Sequence, residues 1–214
     1  MLRSIALAAC LSFGTSAIAH PHVFVQAQVE LVVEEGMLTG VRLKWIYDDF
    51  FSLLMTEDLQ IDPDGDLVLT AEEEQMLSAS VTDWPADYAG DLYLVQGSAP
   101  LRLGPRQDHH ATLEDGLVVE HVLMPLADPV DASVAVDVRV YDPFYYIAYS
   151  VVGDLVVTGD PNCRASYRPA DLNAAYALVD ELLYGRPASD VGPDEQFPEV
   201  GVHFADTVTL TCAT

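Results

Sequence analysis

The 214-residue chain carries 34 acidic residues against 9 basic ones, and Lys44 is its sole lysine. A surface this acidic repels nucleic acid and anionic lipid, which excludes both as partners. Half the residues are apolar, which excludes a disordered chain, and the acidity also fits a protein kept soluble in a salty habitat.

The first residues read as a secretory signal. Arg3 supplies a positive n-region, Ile5 to Phe13 a short apolar core, and Ala17-Ile18-Ala19 a small-x-small cleavage site. Leu7-Ala8-Ala9-Cys10 imitates a lipoprotein box, but too few residues precede it for export. Cleavage after Ala19 makes residues 1–19 the leader and places the mature protein in a bacterial periplasm. The expected mature chain is one domain, 20–214, of about 195 residues, enough for a substantial core. No second apolar run approaches the roughly 18 residues needed to span a bilayer.

His20 would then be the first mature residue. Its free amine and imidazole can chelate a Zn, Ni, Co or Cu ion, and His22 adds a third nitrogen.

Val23 to Val33 alternates, with Val23, Val25, Ala27, Val29, Leu31 and Val33 on one face and Gln26, Gln28 and Glu30 pointing the other way, predicting a half-buried strand. Glu35-Gly36 marks a turn and Gly40 to Tyr47 the returning strand. Asp49 to Leu59 changes to helical spacing, with Phe50, Leu53 and Leu54 on one face. A second helix starts near Thr70, whose spacing to Glu73 is that of a capping box, and Pro85 should end it.

Between these helices, Asp62 to Glu73 matches an EF-hand calcium loop. Asp62, Asp64 and Asp66 occupy positions 1, 3 and 5, the Val68 carbonyl position 7, Thr70 position 9 and Glu73 position 12. Leu69, at position 8, packs under the loop. Leu67 stands where glycine is usual. Forcing it to positive φ costs roughly 1–2 kcal/mol, which lowers calcium affinity by about an order of magnitude. With a single loop, a stabilising role is expected rather than signalling.

Beyond Asp91 the pattern is β again: Asp91 to Gln96, Leu101 to Leu103, Gln107 to Leu113, Leu117 to Leu126, Ala132 to Tyr141, Ile147 to Val152, Leu155 to Thr158 and Val208 to Cys212. Glu114-Asp115-Gly116 is a hairpin signal. Pro169 to Tyr184 reads as a late helix, with Leu172, Ala175, Tyr176, Val179, Leu182 and Leu183 on one face. The sum is an α+β protein: a mostly antiparallel, sandwich-like sheet domain with a helix–acidic loop–helix insertion at about 49–89 and a late helix.

His109, His110 and His121 fall near one hairpin, and any of them is a candidate to complete the His20–His22 site. Processing leaves Cys163 and Cys212, expected to form a disulfide worth roughly 3–4 kcal/mol. A thiolate metal pair is the alternative, but close Cys-x-x-Cys spacing is lacking. No Gly-x-Ser-x-Gly, phosphate loop, dinucleotide fingerprint or His-Glu-x-x-His is found, so no enzymatic activity is expected.

Several segments together carry a resemblance: His20-Pro21-His22-Val23-Phe24-Val25, Trp45-Ile46-Tyr47-Asp48-Asp49-Phe50-Phe51-Ser52, the aspartate loop, Tyr141-Asp142-Pro143 and Asn162-Cys163-Arg164. In their order and spacing the chain resembles an exported family of domains of unknown function, described as the periplasmic component of an uncharacterised ABC-type transport system. Members look associated with nickel, cobalt or zinc transporters, so the resemblance implies a transition-metal-binding accessory protein with a membrane transporter as partner. Two other readings stand beside it. One is a copper-dependent oxidative enzyme using the N-terminal histidine; the other is a purely structural protein that docks on a transporter.

Overall fold

The computed structural model describes residues 21–85, 88–188, 191, 195 and 197–213. The expected leader, its cleavage site and His20 lie outside them.

The first hairpin forms as its alternation requires. β1 (Val23–Glu34) pairs antiparallel with β2 (Met37–Tyr47) through a turn in which Glu35 and Gly36 take positive φ. Val25, Ala27, Val29, Leu31 and Val33 are buried on one side, opposite Val41, Leu43, Trp45 and Tyr47. α1 (Asp49–Leu59) and α2 (Ala71–Val81) follow. Thr70 caps α2 through a reciprocal capping box with Glu73. α2 ends well before Pro85, at Val81, where the Ser78 carbonyl accepts from both the amide and the hydroxyl of Thr82.

The buried face of α1 differs from the expected one. Phe50, Leu53 and Leu54 are exposed, Phe50 to 66%. Phe51 stacks instead on Tyr47, and Met55 and Leu59 pack on the core. Ser52 is fully buried, where its Oγ accepts from the Val118 amide. Apolar residues occur all around this helix, so periodicity could not choose the face.

β3 (Leu92–Gln96), β4 (Ala99–Pro100), β5 (Gln107–Glu114), β6 (Leu117–Asp131), β7 (Val136–Val140), β8 (Ile147–Val151), β9 (Val156–Thr158), β10 (Cys163–Arg168) and β11 (Thr207–Cys212) complete two sheets. One runs β5-β6-β2-β1-β8, with β9 also beside β1; the other runs β10-β11-β7-β3-β4. Pairing is antiparallel except where β8 and β9 lie parallel to β1. Gly159, just past β9, crosses the Val33 carbonyl so closely that any Cβ there would collide with it. Inner faces of both sheets feed one buried cluster, with Leu94, Val138 and Leu210 joining the residues of β1 and β2. The architecture is the expected α+β one.

Some elements moved. Leu103 makes only an isolated bridge to Leu126, because the turn at Gly97 closes earlier and pairs β4 with β3. The strand expected from Ala132 begins at Val136, after a turn that exposes Val134. β10 has no counterpart among the expected strands, although its sequence, CRASYR, alternates Cys163, Ala165 and Tyr167 with polar residues; its outer side is unpaired among the described residues. The late helix, α3 (Leu172–Leu182), buries Ala175 and Val179, followed by Leu183, while Leu172, Tyr176 and Leu182 stay exposed. With the short α4 (Gly201–Phe204), it forms a second cluster around Tyr145, Phe197 and Phe204. Cys163 and Cys212 face each other across β10 and β11 and form the disulfide.

Candidate functional site

The acidic loop joins α1 to α2, and its Thr70 and Glu73 also form the capping box that starts α2. Carboxylate oxygens of Asp62, Asp64 and Asp66 all lie within 4.8 Å of one another. The Asp62 carboxylate accepts from the amides of Asp66 and Leu67 at 3.1 and 3.2 Å, which curls the loop around it. Leu67 adopts φ 62°, the left-handed turn that the sixth loop position demands. Leu69 packs inward on the core, as expected.

Glu73 closes the loop. Its Oε1 accepts from the Asp62 amide at 3.1 Å and its Oε2 from the Thr70 amide at 2.8 Å, so the twelfth position reaches back to the first. These bonds, that from the Thr70 amide foremost, hold its carboxyl below the usual range. Asp49, Glu57 and Asp115 line the same groove and add negative potential. The donors are hard oxygens, which suit calcium and not a borderline metal.

The histidines separate into three environments. His22 donates its amide to the Tyr146 carbonyl at 2.8 Å and stacks its ring on Tyr146, at the β8 side of β1. His109 turns inward, where its Nε2 contacts Glu120 and its ring meets Trp84 edge-on. His110 and His121 stand directly opposite each other on β5 and β6, rings stacked on the outer face. His121 is level with Lys44 and Gln28, six residues along β1 from His22. At a strand rise of about 3.3 Å per residue, that is about 20 Å. The sheet register therefore does not bring His109, His110 or His121 to His22.

Beside the outer pair stands Glu114, which spacing alone did not single out. Its Oε1 lies 3.4 Å from His121 Nε2, and its Oε2 accepts from Lys44 at 2.7 Å. Lys44 draws the Glu114 carboxyl below its ordinary value, while burial, then His110, holds the His121 imidazole below its own.

Two buried carboxylates also escaped the sequence reading. Glu120 is 1% exposed and accepts from the Tyr47 hydroxyl at 2.6 Å. Asp91 accepts from Tyr149 at 2.8 Å, and burial pushes its carboxyl up to about 6 against the opposing hydrogen bonds of Tyr88 and Tyr149. Nothing in a single sequence marks Asp91 among 34 acids; for Glu120 the available signal is a glutamate on the inward side of an otherwise apolar alternation, Val118-x-Glu120-x-Val122.

No helix among the described residues is long and apolar enough to cross a membrane. A family model described as "Protein of unknown function (DUF1007)" matches residues 5–212. A protein from Haemophilus influenzae, described only as uncharacterized, is 25% identical over 216 residues, covering 98% of each chain.

Proposed function

The chain belongs to the DUF1007 family, and we propose that it is an exported, non-enzymatic, cation-binding accessory protein of a transition-metal transport system. The observation that carries the cation-binding part is the convergence of Asp62, Asp64 and Asp66 within one preformed loop. Calcium there would tie α1 to α2 and stabilise the insertion, with the Val68 carbonyl, Thr70 and Glu73 as the remaining expected ligands.

The transition metal is the cargo, and His20 with His22 is its expected site. Support comes from the His20-Pro21-His22 motif, and from the pairing that fixes His22 at the head of β1. The Cys163–Cys212 disulfide fits an oxidising compartment such as the periplasm. Titration of processed protein with Zn, Ni and Cu tests this reading: H20A/H22A should abolish the tightest binding. Unchanged affinity in that variant overturns the assignment.

The docking reading has its own support, since α1 presents Phe50, Leu53 and Leu54 to solvent on adjacent turns. Co-purification with a membrane metal transporter that survives a chelator, and is lost in F50S/L53S, would favour it.

A further inference from the structure

We infer that His110, His121 and Glu114 form a second transition-metal site, separate from the N-terminal histidines. It does not rest on the His20–His22 assignment.

The backbone builds the pair. A register irregularity between Gln107 and His110, with Asp108 at φ 50°, sets His110 directly across from His121. Bulges of this kind re-aim side chains next to functional sites. The rings lie 4.9 Å apart, 9° from parallel. Glu114 follows His110 by four residues, so both project from the same face of β5.

The hydrogen bonds suit ligation. His110 Nδ1 lies 2.9 Å from the Asp108 carbonyl. A carbonyl only accepts, so Nδ1 carries the proton and the neutral ring keeps its lone pair on Nε2. This outer-shell bond is the one that metal-bound histidines commonly make. Lys44 plays the matching part for Glu114, gripping Oε2 at 2.7 Å while Oε1 faces His121. Two imidazoles and a carboxylate suit zinc, nickel, cobalt or copper and leave coordination positions open. Among the described residues only the aspartate trio already has its donors within 4.8 Å, so closing this site takes a tilt of the His110 ring about its bond to the Asp108 carbonyl, out of its stack on His121, until both ring planes meet at one ion.

The test uses Zn2+ on calcium-saturated, processed H20A/H22A protein, which removes the N-terminal imidazoles. One zinc equivalent should shift the ring resonances of His110 and His121 together, and adding H121A should remove that equivalent. E114Q, which leaves both rings in place, should weaken binding at least tenfold. If zinc moves neither ring, or the equivalent persists in H20A/H22A/H121A, the site does not exist. The resonance readout needs no further substitution, so a folding defect in H121A does not rescue the proposal. The N-terminal site fails separately, when H20A/H22A binds as tightly as the parent.

Discussion

Leu67 rests against Gly116: a Cβ built on that glycine would lie 3.5 Å from the Leu67 Cδ2. The acidic loop therefore leans on the β5–β6 hairpin, whose turn residues Asp115 and Gly116 both take positive φ. Leu67 itself holds φ 62°. Keeping a non-glycine residue there costs roughly 1–2 kcal/mol. Leu67→Gly should therefore raise calcium affinity by about an order of magnitude. An unchanged affinity by calorimetry would mean that the cost falls on folding and not on calcium binding.

Asp91 makes stability depend on pH in an unusual direction for a carboxylate. Its folded value, about 6, lies above the ordinary aspartate value of 3.8. Between those values the folded state holds more protons, so stability falls as pH rises, and the cost is complete above about pH 6. The two values imply on the order of 3 kcal/mol. Asp91→Asn, which can still accept from Tyr149, should be more stable than the parent at pH 8 and nearly equal to it at pH 4. Urea denaturation at both pH values checks this; an identical difference at the two would contradict it.

Glu120 serves Tyr47 and His109 at once, with its side chain fully buried. Glu120→Ala would strand both partners, and a loss of about 3–5 kcal/mol is expected. Glu120→Gln keeps an acceptor for Tyr47 and should lose less. Equal, small losses in both variants would show that the cluster contributes little.

The Cys163–Cys212 bond closes a loop of 49 residues and ties β10 to β11. C163S/C212S should lose roughly 3–4 kcal/mol in the loop-entropy model. Chemical denaturation with and without reductant measures it, and an insensitive midpoint would contradict the estimate.

Much of this molecule was legible in its sequence for physical reasons. Strict alternation from Val25 to Leu31 leaves only one face to bury, so β1 and its hairpin followed. The Thr70–Glu73 spacing located the start of α2 because a capping box satisfies orphan amides locally. The acidic loop was legible because its geometry depends on nearby residues alone, and the same chemistry predicted the left-handed turn at Leu67. What failed was non-local. The burial of Phe51 and Ser52 rather than Phe50 and Leu53 depends on where Tyr47 and Val118 stand. The separation of His22 from His110 and His121 depends on the order of strands, β5-β6-β2-β1-β8. Neither is encoded in spacing along the chain.

Calcium titration of the processed protein beside D62N/D64N/D66N bears most directly on cation binding. Each substitution keeps one side-chain oxygen as an acceptor and removes a charge that holds the ion, although D62N gives up one of the two oxygens that accept from the Asp66 and Leu67 amides. The parent should bind calcium at the loop with a rise in melting temperature, and the variant should show neither. Equal heats and equal thermal shifts in the two proteins would mean that the three aspartates hold no ion.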